Sequence, residues 1–278
     1  MPLVLSACGN GVLDPKGPVG AAERAILLNS LAIMLAVVIP TVIATLGVAW
    51  WFRASNRRAR YRPEFTFSGQ IELVVWAIPA MVVLLLGGIA WIGSHELDPP
   101  KPIASRVRPV LVEVVSLDWK WLFIYPELGI ASVNRLVLPA GTPIRFRLTS
   151  ASVMNSFFVP QLGSQIYAMA GMTTRLNLLA DHPGRFAGMS AQFSGEGFSD
   201  MRFTVDALPP AAFAGWAAAA RGHGPMLDAA GYAALARRSK ATPATNYGGV
   251  VPGLFDAVVR MEAPQPNLPV VVGGSTQG

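Results

Sequence analysis

The chain has 278 residues, of which 52% are hydrophobic, and its mean hydropathy is +0.44. This composition is too apolar for an ordinary soluble domain and predicts membrane-spanning segments. The formal net charge of +6 includes five arginines within residues 53–62, so the positive charge is concentrated in one short segment and argues against a nucleic acid partner.

The single cysteine, Cys8, excludes an intramolecular disulfide and a thiolate metal cluster. It lies in the sequence LSACG, which matches a bacterial lipobox, where the cysteine is lipidated and becomes the mature N-terminus. A signal peptide has a basic start and an apolar core of about 7–15 residues, and residues 1–7 have neither in full. Two interpretations of Cys8 therefore stay open: it is lipidated, or it is a cysteine without a special role near the terminus. Residues 1–24 are predicted to be a lipobox and a linker.

Two uncharged apolar stretches predict a transmembrane hairpin over residues 25–95. The first, residues 25–52, has 28 residues and as a helix exceeds the ~30 Å hydrocarbon core of a membrane. The second covers residues 73–94. Each contains a proline, which a membrane helix tolerates when neighbouring helices satisfy the freed carbonyl. The arginine-rich segment between them predicts a cytoplasmic loop, so both termini are predicted to lie in the periplasm.

Residues 96–106 are predicted to be a stiff, Pro-rich connector, and residues 107–208 a β-sandwich. Ile144, Phe146 and Leu148 alternate with Arg145 and Arg147, which is typical of a half-buried strand. Residues 110–125 form another long β-prone run. Strands at this spacing favour a sandwich of about 100 residues.

The composition shifts to alanine after Pro210, which predicts a helical C-terminal extension over residues 209–262. Its helices are predicted at residues 211–220, 226–238 and 251–261. Residues 263–278, rich in proline and glycine, are predicted to be a disordered tail.

Residues 153–160 and 188–201 have the spacing of a dinuclear copper loop without its ligands. Cysteine at Ser190 and Ser194 and histidine at Asn155 and Phe198 would give the copper loop of cytochrome c oxidase subunit II. Soft copper sites need thiolate and imidazole. The remaining positions of this set are Gln192, through its backbone carbonyl, and Met201, which is the only side chain here suited to copper. We predict that the chain binds no metal and that these side chains pack the loop.

The order of hairpin, connector and sandwich resembles subunit II of the haem-copper oxidases. Residues 118–127, 153–171 and 193–201 resemble the quinol-oxidising, cytochrome bo-type branch, which has the cupredoxin fold without copper. The segment after Pro210 is similar to the extra C-terminal segment of that branch. The resemblance extends from Cys8 to about Met261 and implies a two-helix membrane hairpin, an all-β cupredoxin-like Greek-key sandwich and a short helical extension.

The resemblance also implies a function. The chain would be a non-redox, supporting subunit of a proton-pumping ubiquinol oxidase that reduces oxygen to water. It would have no cofactor and no catalytic centre of its own, because the haems and copper lie in subunit I of that family. Its partners would be subunits I, III and IV, membrane lipid and, through the complex, ubiquinol. The localisation would be the bacterial inner membrane, with the sandwich in the periplasm.

Three further residues have two interpretations each. Trp119 and Trp121 resemble the aromatic entry patch of copper-bearing relatives, and on a strand they would point to the same face. Without copper behind them, packing is favoured over a cytochrome contact. Glu72 resembles a family glutamate at the mouth of a proton path, but an acid at a helix N-terminus is also favourable by ~0.3–1 kcal/mol.

The sequence leaves two alternative functions open. Cytochrome c oxidase subunit II is disfavoured by the missing copper ligands. A stand-alone, lipid-anchored, cupredoxin-like binding protein is the other alternative, and the proline-containing paired spans argue against it by indicating a membrane partner.

Overall fold

The computed structural model describes residues 11–60 and 62–264 of the chain. Cys8 and its predicted lipidation, and the tail from residue 265, lie outside the described residues. Of the described residues, 11–21 and 99–264 form one compact unit, and 22–98 form another.

The second unit consists of two long apolar helices. Helix α1 is Pro18–Trp51 and α2 is Gly69–Glu96, and both are long and apolar enough to cross a membrane. Pro40 and Pro79 lie inside them, as expected. The helices touch near Gly93, because a Cβ atom at this position would lie 2.7 Å from Cδ1 of Ile26. The predicted linker is wrong for residues 18–24, which already belong to α1.

The remaining elements follow in chain order. The strands are β1 Val110–Leu117, β2 Lys120–Tyr125, β3 Ile130–Val133, β4 Arg135–Pro139, β5 Ile144–Ser150, β6 Asn155–Phe158, β7 Ile166–Ala168, β8 Thr174–Leu178, β9 Gly184–Ser190, β10 Arg202–Leu208, β11 Met226–Leu227, β12 Thr245–Tyr247 and β13 Gly249–Val250. The helices are α3 Pro210–Gly222, α4 Ala229–Ala236 and α5 Leu254–Val259, and a 3-10 turn covers Phe198–Asp200.

The strands form a sandwich of two sheets. Sheet A has the order β12-β3-β2-β1-β5-β8, and sheet B has the order β4-β10-β9-β6-β7. The pairs β1–β5 and β4–β10 are parallel and their other neighbours are antiparallel, so the chain crosses repeatedly between the sheets. The main core lies between them and includes Trp121, Phe146, Phe157 and Phe203. The predicted combination of two apolar helices, a β-sandwich and short C-terminal helices is confirmed.

The long β-prone run at residues 110–125 is a hairpin rather than one strand. Strands β1 and β2 pair antiparallel, with Leu117 opposite Lys120. The chain reverses at Asp118 and Trp119, and Trp119 has φ +66. A left-handed backbone is uncommon for a residue such as tryptophan, so the only ordinary turn signal here is Asp118.

The C-terminal extension contains strands as well as helices. The helix predicted at residues 226–238 is shorter, because Met226–Leu227 form β11 and Asp228 caps α4 by accepting from the Gly231 amide at 2.8 Å. Strand β12 joins sheet A beside β3. The extension also covers the outer face of sheet A with a second core that includes Tyr232, Phe255 and Val258. Ala263 is buried in this core, so the predicted tail does not begin at residue 263.

The segment before α1 and the first turn of that helix are part of the sandwich unit. The Lys16 amide donates to the Gln161 carbonyl at 2.7 Å, and the Asp181 amide donates to the Lys16 carbonyl at 2.9 Å. The Gly20 amide donates to the Leu162 carbonyl at 3.1 Å. Residues 11–21 are therefore fixed against the sandwich rather than forming the free linker that the sequence predicts.

Candidate functional site

Three neighbouring strands bring the predicted copper positions to one end of sheet B. Asn155 begins β6, Ser190 ends β9 and Met201 immediately precedes β10. The Ser190 hydroxyl lies 3.2 Å from Asn155 Oδ1 and 3.2 Å from the Gln192 carbonyl oxygen. The Ser190 amide donates to the Met201 carbonyl at 3.0 Å. The predicted spacing therefore corresponds to spatial proximity for these four residues.

The other two positions lie in the loop between β9 and β10, called the 190–201 loop below. The Ser194 hydroxyl lies 3.9 Å from the sulfur of the buried Met201. Phe198 begins the 3-10 turn, and its ring meets the exposed ring of Phe193 edge-on at 5.7 Å between centroids. The Phe198 side chain therefore packs within the loop, at the outer surface.

The donor chemistry of this loop does not suit copper. Asn155 offers an amide and the two serines offer hydroxyls, and Ser190 already bonds to its neighbours. The Met201 thioether is the only soft side-chain donor among the six positions. Within residues 11–60 and 62–264, no group of three or more His, Cys, Asp or Glu is placed to hold a metal ion. The residues present do not fit the dinuclear copper site that the spacing implies.

The sequence predicts that Trp119 and Trp121 point to the same face of a strand, and this prediction is wrong. Trp121 is fully buried and meets the rings of Phe157 and Phe203 edge-on. Trp119 sits in the β1–β2 turn and is half-buried, and its Nε1 donates to the Ser194 carbonyl at 3.0 Å. The alternation rule fails because the turn with positive φ interrupts the strand between them. Packing accounts for both side chains.

Sequence reasoning missed a polar cluster around the β1–β2 turn. Lys120 is only 1% exposed, and its Nζ donates to the Arg237 carbonyl at 2.6 Å and to Ser239 Oγ at 2.5 Å. Burial lowers the pKa of Lys120, while the nearby charge of Asp118 opposes this shift. Asp118 forms an ion pair with Arg238 at 3.0 Å. The sequence signal for this cluster is the pair of opposite charges, Asp118 and Lys120, within an otherwise apolar run.

Glu72 lies in the first turn of α2, and its amide donates to the carbonyl of the N-cap residue Ser68 at 3.0 Å. Its side chain is exposed. A carboxylate is favourable at this position because of the helix dipole, and a surface carboxylate is also accessible to protons. The position suits both interpretations of Glu72.

Comparison with known proteins decides the family. The family model for the periplasmic domain of cytochrome c oxidase subunit II matches residues 112–208, and the COX aromatic-rich motif matches residues 221–262. A cytochrome bo(3) ubiquinol oxidase subunit 2 from Pseudomonas aeruginosa is 47% identical over 92% of this chain and 78% of the relative. The chain belongs to the ubiquinol oxidase subunit 2 family. The resemblance inferred from the sequence is confirmed.

Other members of the ubiquinol oxidase subunit 2 family agree with this assignment. The ubiquinol oxidase subunit 2 of Acetobacter aceti is 48% identical over 92% of this chain and 84% of the relative. Among solved structures, the periplasmic domain of cytochrome oxidase subunit II from Bradyrhizobium japonicum is 23% identical to this chain, with a TM-score of 0.40. The match covers 43% of this chain and 98% of that domain.

Proposed function

We propose that this chain is the non-redox, supporting subunit of a proton-pumping ubiquinol oxidase in an aerobic respiratory chain. The donor set of the 190–201 loop carries this proposal. Together with Asn155 on β6, this loop supplies two hydroxyls, an amide and a thioether where a dinuclear copper site needs thiolates and imidazoles. Electrons from ubiquinol then reach oxygen through haems and copper of subunit I, and this chain contains no catalytic centre and no cofactor.

The proposed assembly contains subunits I, III and IV beside this chain, with membrane lipid around the helices. Ubiquinol meets the complex rather than this chain alone. Helices α1 and α2 are exposed along their apolar windows, and such surfaces need lipid or a partner bundle. The chain supports subunit I by packing its hairpin against that bundle.

The proposed location is the bacterial inner membrane, with the sandwich and both termini in the periplasm and Cys8 lipidated there. Two observations support the topology. The segment between the helices contains five arginines. In addition, residues 11–21 pack on the sandwich that follows α2, which supports a topology with both outer ends of the hairpin on the periplasmic side.

Purification of the tagged chain in mild detergent tests the proposal. We expect a haem-bearing large subunit to co-purify and the complex to oxidise ubiquinol but not reduced cytochrome c. After the chain is separated from the complex, we expect far less than one copper per chain. Stoichiometric copper in the separated chain would instead indicate a cytochrome c oxidase subunit II. If the chain purifies without a haem-bearing partner, this would favour a stand-alone binding protein.

A further inference from the structure

The C-terminal extension crosses the β1–β2 hairpin between α4 and β12. Residues 237–242 of this crossing are called the clamp segment below. The clamp segment lies over the turn that contains Trp119, and Trp119 in turn contacts the 190–201 loop. These contacts connect the C-terminal extension to the 190–201 loop.

A buried lysine anchors the clamp segment. Lys120 Nζ donates to the Arg237 carbonyl and to Ser239 Oγ, and the side chain is almost fully buried. A buried ammonium without acceptors is unfavourable, so the folded state keeps both acceptors of the clamp segment in place. The anchor is stronger than a surface contact because the donor is charged and shielded from water.

Further polar contacts fix both ends of the clamp segment to the strands beside Trp119. Arg238 Nε lies 3.0 Å from Asp118 Oδ2. Asn134 Nδ2 donates to the Thr242 carbonyl at 2.8 Å, while Asn134 Oδ1 accepts from the Trp121 amide at 2.8 Å. The clamp segment is therefore tied to the residues immediately before and after Trp119.

Trp119 transmits this restraint to the 190–201 loop. Its Nε1 donates to the Ser194 carbonyl, and a Cβ atom on Gly197 would overlap its ring. On the other side, Lys240 Nζ lies 5.7 Å from the Trp119 ring centroid and pairs with Glu196 at 3.0 Å. The φ of +66 at Trp119 is unfavourable for this residue type and persists where surrounding contacts determine it.

We propose that the clamp segment holds the 190–201 loop in place through Trp119 and, secondarily, through the exposed ion pair between Lys240 and Glu196. It thereby supplies the restraint that metal–ligand bonds would supply in a copper loop of this spacing. Within the loop, the Ser194–Met201 contact at 3.9 Å involves a weak sulfur acceptor. The outer part of the loop therefore depends on Trp119 and on the Lys240–Glu196 pair. The proposal rests on the proposed metal-free state of the loop.

Hydrogen exchange of backbone amides in the assembled oxidase tests the clamp. Lys120→Met should accelerate exchange about tenfold or more in both residues 237–242 and residues 194–200, because it removes the anchor. Trp119→Ala should accelerate exchange in residues 194–200 alone, because the clamp keeps its Lys120 anchor. The matched control is Arg260→Met, which breaks an exposed ion pair with Glu262 elsewhere in the extension and should change neither segment.

If Lys120→Met does not fold, Trp119→Ala still tests the link between the clamp segment and the loop. Lys240→Met combined with Glu196→Gln removes only the exposed pair and should raise loop exchange by about twofold. A released clamp with an unchanged loop would overturn the proposal, as would an unchanged loop in Trp119→Ala. Copper is measured in the same samples. Copper in the wild-type chain, with loop exchange responding as expected, would refute the metal-free function and the clamp's role as a substitute for metal, while the restraint of the loop by the clamp segment would be retained. No copper and an unresponsive loop would refute the clamp alone.

Discussion

Ser190 illustrates at the scale of one residue how side-chain chemistry decides what the 190–201 loop can bind. Its hydroxyl reaches both Asn155 Oδ1 and the Gln192 carbonyl. Both groups are hydrogen-bond acceptors, so they suit a hydroxyl, which has a proton to donate, and not a thiolate, which has none. A serine hydroxyl keeps its proton at neutral pH and is a poor copper ligand.

Restoring the missing donors should therefore restore copper binding. The variant Asn155→His, Ser190→Cys, Ser194→Cys and Phe198→His, in the full chain, should take up copper and show visible thiolate-to-copper absorption. The strands already place residues 155, 190 and 201 together, so the backbone needs little change.

The control for copper uptake keeps the histidines and leaves both serines unchanged, and it should remain colourless. A folded fourfold variant that binds no copper would show that the loop backbone differs from that of a copper loop. Phe198 is the position where such a difference is most expected, because its ring packs on Phe193 at the surface.

Asp206 predicts a pH dependence of stability. It is 4% exposed and bonds to Arg135 at 2.7 Å and to Arg185 at 2.8 Å. Burial alone would raise the pKa of Asp206, but the hydrogen bonds and charges of both arginines outweigh it, and the pKa is lowered. The stabilisation is therefore fully present above the unfolded value of about 3.9 and is lost as the pH falls through the lower folded pKa.

Asp206→Asn should lower the free energy of unfolding at pH 7 by about 2 kcal/mol, a value reduced for the exposure of the arginines. It should also weaken the acid dependence below pH 4. Denaturant unfolding in detergent, followed by tryptophan fluorescence, measures both effects. Glu127→Gln, which breaks the exposed pair with Arg108, should cost less than about 1 kcal/mol. Equal losses in the two variants would contradict the role of Asp206.

At the scale of elements, Arg147 on β5 connects the sandwich to α5 of the extension. Its guanidinium pairs with Glu113 and with Asp256, each at 2.8 Å, and lies over the Phe255 ring at 4.7 Å. Burial raises the pKa of Glu113, while Arg147 opposes this shift. One side chain thus neutralises a buried acid and orients a helix.

Arg147→Met should destabilise the chain by about 2 kcal/mol, because Glu113 stays buried without its cation. Thermal or denaturant unfolding of the full chain measures the loss. Arg145→Met is the matched control, since Arg145 is exposed on the same strand, and it should stay within about 0.5 kcal/mol of wild type. A similar loss in both variants would mean that charge alone, rather than this contact, matters.

Elements with a strong period were predictable from the sequence, and elements defined by tertiary contacts were not. The alternation from Ile144 to Leu148 predicted β5 because one face is buried and one exposed. Strands β11 and β12 have 2 and 3 residues, which is too short for a period. The resemblance to a copper loop, rather than any period, placed Asn155 with Ser190, and their side chains lie 3.2 Å apart. The partner of Lys120 was not predictable, because it lies 117 residues away.

At the scale of the whole molecule, the arginines between the helices and the packed N-terminal residues support the proposed topology. A reporter enzyme active only in the periplasm should be inactive when fused after Arg58 and active when fused after Pro264. These sites avoid cutting a strand of the sandwich. The reverse pattern of activity would refute the topology, and full-length fusion protein on immunoblots controls for expression.

Glu72 predicts an effect on turnover rather than assembly. Because glutamine cannot take up and release a proton, Glu72→Gln should lower ubiquinol oxidation several-fold while the amount of assembled complex stays unchanged. Oxygen consumption per haem is the measurement. Glu64→Gln, which removes an exposed acid from the inter-helix segment, should have no effect. Unchanged turnover in Glu72→Gln would exclude the proton-path role, and the interaction with the helix dipole would be the one remaining role of Glu72.

The packing of residues 11–21 against the sandwich also has a consequence for biosynthesis. The Gln161 side chain donates to the Asp14 carbonyl, a contact between residues 147 apart in sequence. At about 5–20 residues per second, ribosomes need roughly 7–30 seconds to make the intervening chain, and both apolar helices are made in that interval. Closure of this edge of the sandwich is therefore a late event, which follows synthesis of the hairpin and has its earliest time set by the speed of translation.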